Sequence, residues 1–91
     1  MNFSSNRRGM GAQLPIAAKR QFQIELDGTT ELRLVELLRD GRSIMQWRPG
    51  KSRFSIEAHD ANAELDRSAF YLVRVTQADN HKGWTSPIWF G

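Results

Sequence analysis

The chain has no cysteine, which excludes a disulfide framework and every thiolate-held zinc site. It leaves the compartment open, because a cysteine-free chain folds equally well in oxidising and reducing surroundings. Histidine is almost as scarce. His59 and His81 stand alone, and neither belongs to a His-x-His or His-x-x-x-His pair from which three or four metal ligands could be gathered. His59-Asp60 has the order of a base and its orienting carboxylate, but two exposed loop residues are the simpler reading. No Gly-x-Ser-x-Gly elbow or Ser-x-x-Lys is present. Gly9 and Gly11 do not open a phosphate loop, since no strand precedes them and no Gly-Lys-Ser/Thr follows. The expectation is therefore no catalytic residue, no metal and no cofactor. Apolar runs stay far short of the roughly 20 residues that span a bilayer, so no membrane partner is expected. Met1 to Gly11 carries Arg7 and Arg8 without an apolar stretch behind them and does not read as a signal peptide.

What remains is a chain of 91 residues, 40% hydrophobic and 25% charged, which suits one globular domain with one modest core. The formal net charge of +3 is unevenly placed. Residues 1–20 hold Arg7, Arg8, Lys19 and Arg20 and no acid, whereas residues 21–91 hold nine basic and ten acidic side chains. A phosphate-binding footprint needs Lys and Arg clustered on one folded face, so nucleic acid is not an expected partner.

Residues 1–18, rich in Asn, Ser, Gly, Gln and Ala, read as a leader or linker with one short edge strand around Gln13–Ile16, and 19–91 as the domain. Phe22, Ile24 and Leu26 alternate with polar neighbours, the period-2 signal of a half-buried strand, until Asp27-Gly28 breaks the run. Glu31–Arg39 admits two readings. Thr29 or Thr30 could cap a helix with Leu34, Leu37 and Leu38 along one side, ending at Gly41. A strand closed by an Asp40-Gly41 hairpin turn suits the extended neighbours better. Ser43–Arg48, Arg53–Ala58, Phe70–Thr76 and Trp84–Phe90 follow as strands, Pro87 being tolerable only at an edge or bulge. Six to seven short strands, with turns every 8–12 residues, predict an all-β antiparallel sandwich of immunoglobulin or fibronectin type. Tyr71, at the head of Tyr71-x-Val73-x-Val75, is placed to bond back to the preceding loop as a tyrosine corner. An exposed edge strand would allow a homodimer through sheet extension.

The candidate contact residues are Trp47, Arg74, His81, Trp84 and Trp89. The tryptophans suit either a stacking platform for a ligand or core and interdomain packing. Unbroken alternation from Trp84 would put Trp89 on the opposite face, so the tryptophans are not expected to share one. Arg74, inside a hydrophobic strand, either forms an ion pair across the sheet or lays its stem on exposed neighbours.

The run FYLVRVTQADNHKGWTSPIWF, from Phe70 to Phe90, resembles the C-terminal tail of PHP-type metal-dependent phosphoesterases and related hydrolases. Tyr71, Val73, Arg74, Val75, Thr76, Gln77, Asp79, Trp84, Ser86, Pro87, Ile88 and Trp89 carry the likeness. Arg8-Gly9-Met10-Gly11 and Leu34 to Gly41 resemble two earlier segments of the same proteins, in the same order. The hairpin Asn80-His81-Lys82-Gly83 departs from the family pattern, which more often has Gly and then Ala before the Trp. The resemblance implies a strand for Glu31–Arg39. It also implies a hydrolase domain, in cis or as a neighbouring chain, whose metal ligands lie outside these residues, with this module as a non-catalytic accessory domain. The alternative is a free-standing carbohydrate- or ligand-binding module.

Overall fold

Glu31–Arg39 is extended. In the computed structural model, which describes Met1–Gly91, it forms the second half of one 19-residue strand, β4 (Gln21–Arg39). Three short strands come before it, β1 (Asn2–Ser5), β2 (Arg8–Gly9) and β3 (Gln13–Leu14). Five follow: β5 (Arg42–Trp47), β6 (Lys51–His59), β7 (Ala69–Gln77), β8 (Lys82–Trp84) and β9 (Ile88–Phe90). There is no helix. Asp40 and Gly41 both take positive φ, 51° and 85°, the two-residue turn whose twist matches a hairpin. That turn joins β4 to β5 and fixes their register.

All nine strands belong to one hydrogen-bonded sheet, curled into a half-barrel around β4. The first half of β4 lies between β1 and β6, with Phe3 opposite Ile24 and Ile56 opposite Ile24 on the other side. The second half lies between β5 and β7, with Val35 opposite both Trp47 and Val75. β7 continues to β8 and β9, and β9 pairs in parallel with β3. The curl occurs between the halves, where the β4–β6 register shifts between Asp27 and Leu32. Gly28 sits there because nothing larger fits: a Cβ would stand 2.8 Å from Gln77 Oε1 and 2.8 Å from Leu32 Cδ2.

Burial along β4 shows how one strand serves both halves. Phe22, Ile24, Leu26 and Leu32 are buried, all at even positions; beyond them Val35 and Leu37 carry the core. Leu32 pairs with Gln77 and Leu34 with Thr76, so β4 advances two residues while β7 advances one. A one-residue bulge exchanges the two faces of a strand, and here it turns the odd positions inward.

The core gathers Phe3, Phe22, Tyr71 and Phe90. Phe22 lies 4.6 Å from Tyr71, while Phe90 meets Phe22 and Tyr71 edge-on at 6.0 Å and 5.5 Å between ring centroids. Such pairs add about 0.5–1.5 kcal/mol each beyond the area they bury.

Two expectations change. The strand count is nine, not six to seven, and the residues read as a leader are woven into the sheet. Phe3, Ser5 and Leu14 are buried, and the edge strand expected at Gln13–Ile16 is the two-residue β3. Their short, polar stretches hid the signal, since two to four residues are too few for a visible alternation.

Candidate interaction face

Alternation on β7 turns Tyr71, Val73 and Val75 to the core and Phe70, Leu72 and Arg74 outward. Arg74 pairs with Glu36 of β4 on one side and Trp84 of β8 on the other. Residues directly opposite on adjacent strands share a face. The same outer face therefore holds Leu38 opposite Leu72, and Phe70 opposite Trp89 of β9.

At its centre Arg74 grips Glu36 with both ends of its guanidinium, Nε to Oε1 and Nη2 to Oε2, each at 3.0 Å. The Glu36 side chain is 6% exposed and that of Arg74 35%. The bidentate form is the strongest available to this pair, and it keeps a carboxylate tolerable in a nearly dry place. Of the two arrangements open to Arg74, the cross-sheet ion pair is the one formed.

Trp84 lies beside Arg74 and Trp89 beside Phe70, both on the side of β7 away from Glu36, and they remain 55% and 48% exposed. Trp89 lies against Phe70 at 4.9 Å. Contrary to the alternation argument, both occupy one face. They are five residues apart in the chain, but their partners Arg74 and Phe70 are four apart. The extra residue is absorbed in Thr85-Ser86-Pro87, between β8 and β9. There the Thr85 amide donates to the Val73 carbonyl and the Val73 amide to Thr85 Oγ1, both at 2.9 Å. Pro87, without an N–H, takes the place where no ladder bond is required.

The other candidates lie elsewhere. Trp47 is on the inward side of β5, opposite Val35, half-buried and 6.0 Å from Phe54. His81 stands in the β7–β8 hairpin with its side chain 80% exposed and Nδ1 3.0 Å from Asp79 Oδ2. The His81 backbone amide and ring hold the Asp79 carboxyl below the ordinary carboxylate range. His59 is exposed, whereas Asp60 is buried and engaged with Tyr71 and Arg39, so the two do not form a base and its orienter. No three His, Asp or Glu side chains gather where they could hold a metal ion. Glu36, absent from the sequence candidates, had one signal: a lone acid between Val35 and Leu37 in an otherwise apolar stretch.

No protein-family profile and no solved structure matches the chain. It is similar to uncharacterised proteins of Chlamydia. It is 29% identical over 106 aligned positions to one from Chlamydia pneumoniae and 30% over 105 to one from Chlamydia muridarum. Each alignment takes in 98% of this chain but 17% of the relative. The chain thus spans about a sixth of the length of the curated relatives it matches.

Proposed function

We propose that this chain is a non-catalytic accessory domain that docks on a larger metal-dependent hydrolase unit, in cis or as a neighbouring chain, through the Trp84–Trp89 face. One observation carries the reading. Arg74, Trp84 and Trp89, which belong to the hydrolase-like tail pattern, are brought together on one outer face with both tryptophans about half exposed. Tryptophan and arginine at the centre of a patch are the side chains that most often dominate a protein interface. The much greater length of the Chlamydia relatives is in keeping with a module that works beside other domains.

The finer fold that goes with this reading is an immunoglobulin- or fibronectin-like sandwich. Its support is the strand pairing: the first half of β4 pairs with β1 and β6, and the second half with β5 and β7, so that one long strand serves two groups of strands. The Tyr71 hydroxyl bonded to the loop before β7 is in keeping with a tyrosine corner.

The test is binding between this chain and a hydrolase region encoded upstream of it or in a neighbouring frame, measured by calorimetry. Trp84→Ala and Trp89→Ala should each weaken binding about tenfold or more, equivalent to about 1.4 kcal/mol, while His81→Ala should not. Equal binding by all three variants would reject the face. The exposed tryptophan pair also favours a second reading, a stacking platform for a sugar. A saturable change in tryptophan fluorescence on adding oligosaccharide, lost in Trp84→Ala, would select it over docking.

A further inference from the structure

Arg20, immediately before β4, is buried to 1% exposure, and no carboxylate lies within ion-pair distance of it. Its Nη2 donates to the carbonyls of Ile16 at 2.7 Å and Arg67 at 3.0 Å. Nε and Nη1 are buried with no acceptor at all. The Phe90 ring, 4.1 Å from the guanidinium carbon, offers its face to the charge, and Tyr71 lies at 6.0 Å. A ring face attracts a cation but accepts none of the N–H groups that lie in the guanidinium plane. A buried cation with idle donors ordinarily has a counter-charge or an ordered guest beside it.

Arg20 lines a cavity of about 200 Å³ with Arg39, Asn62, Glu64, Arg67 and Tyr71. The other cations there are matched, and the Asp40 carboxylate is bonded to the backbone. Arg39 meets Asp60 at 2.7 Å, Arg67 meets Glu64 at 2.9 Å, and Asp40 accepts the Phe70 amide at 3.0 Å. A water occupies about 30 Å³, so the space admits a tetrahedral or planar oxyanion with some of its hydration.

We propose that this cavity binds a small oxyanion, of the phosphate or carboxylate class, as the counter-ion of Arg20. Arg67, with a side chain 79% exposed, stands at the mouth and supplies the second cation by exchanging its exposed Glu64 partner for the anion. Because the Arg67 carbonyl accepts from Nη2 of Arg20 and Nε and Nη1 are buried, uptake of the anion at those two donors requires the Glu64–Arg67 turn to move. The site is independent of the tryptophan face and does not rest on the docking reading.

The test uses the whole 91-residue chain, labelled with 15N, following the arginine Nε–H signals. Inorganic phosphate and, separately, formate are titrated at fixed ionic strength balanced with chloride. A saturable shift of the Arg20 signal is expected. At ten times the dissociation constant the unfolding equilibrium constant should fall about tenfold. Arg67→Gln changes an exposed side chain and should weaken the affinity about threefold or more. Arg20→Met should abolish the saturable shift, and Arg67→Gln keeps the test decisive if that variant does not fold. Saturation by phosphate alone assigns the phosphate class, and by formate the carboxylate class. No saturable shift with either anion, or unchanged affinity in Arg67→Gln, overturns the proposal.

Discussion

The Tyr71 hydroxyl donates to Asp60 Oδ2 at 2.7 Å, and the same oxygen receives Nη1 of Arg39 at 2.7 Å. One carboxylate oxygen thereby ties the loop after β6 to β7 and to the far end of β4. Tyr71→Phe keeps the ring packing against Phe22 and Phe90 and removes only the hydroxyl. Hydrogen bonds to a charged group are worth about 1.5–3 kcal/mol, so a loss of about 2 kcal/mol is expected in urea unfolding.

The same cluster sets the pH response. Burial alone would raise the Asp60 pKa, but the bonds from Tyr71 and Arg39 outweigh it and leave the carboxyl below its ordinary value. A depressed carboxylate stabilises the fold above its unfolded value, about 4, and that stability is lost as pH falls through the folded value. Tyr71 is displaced the other way, upward, by burial first and then by Asp60. Its contribution is present below the unfolded tyrosine value, about 10, and is lost as pH rises beyond it. Melting temperature against pH should fall at both ends. Asp60→Asn should flatten the acid limb while lowering the plateau, and an unchanged acid limb would remove Asp60 from the account.

Arg74 and Glu36 make a separate prediction. Arg74→Leu leaves the Glu36 carboxylate nearly buried without its partner, a situation that costs about 3–5 kcal/mol. Replacing both, Glu36→Leu with Arg74→Leu, removes the stranded charge and should recover most of that loss. Chemical denaturation of the three variants measures the coupling. Additive losses would show that the pair is not acting as a unit.

Gly28→Ala should destabilise the fold by about 1–3 kcal/mol, the usual cost of forcing an extra carbon into a filled place. The obstacle is not only the Gln77 side chain. That side chain is pinned, since its Oε1 accepts from the amides of Thr29 and Thr30 at 3.0 Å and 3.3 Å. Moving it aside strands both donors. Thermal unfolding of Gly28→Ala beside Gly41→Ala separates this crowding from strain of the backbone, because Gly41 has open space around it and a φ of 85°.

Local alternation made Phe22–Leu26, Arg53–Ala58 and Phe70–Thr76 legible as strands, and Asp40-Gly41 legible as a turn, because each signal is contained within a few residues. Three features were not legible. The continuity of β4 through Gly28 is a tertiary fact: Asp-Gly ordinarily ends a strand, and here neighbours on both sides carry the chain through. The shared face of Trp84 and Trp89 depends on the extra residue at Thr85–Pro87, whose position only the partner strand defines. The burial of Phe3 and Leu14 comes from β4 and β9, which lie distant in the chain. For Arg74 the sequence left a cross-sheet pair and a stem laid on exposed neighbours both open, and it did not show which acid the arginine would take.

The parallel seam between β3 and β9 places Gln13 beside Trp89 and Leu14 beside Phe90, and Gln13 Nε2 reaches the Gly91 carbonyl at 2.7 Å. During synthesis this has a cost in time. Until Ile88–Phe90 have left the ribosome, β3 has no strand to join, and Phe22 and Tyr71 lack the ring that packs edge-on against both. Nascent chains held at any earlier point should remain open to proteases, and protection should arrive in one step when Phe90 emerges.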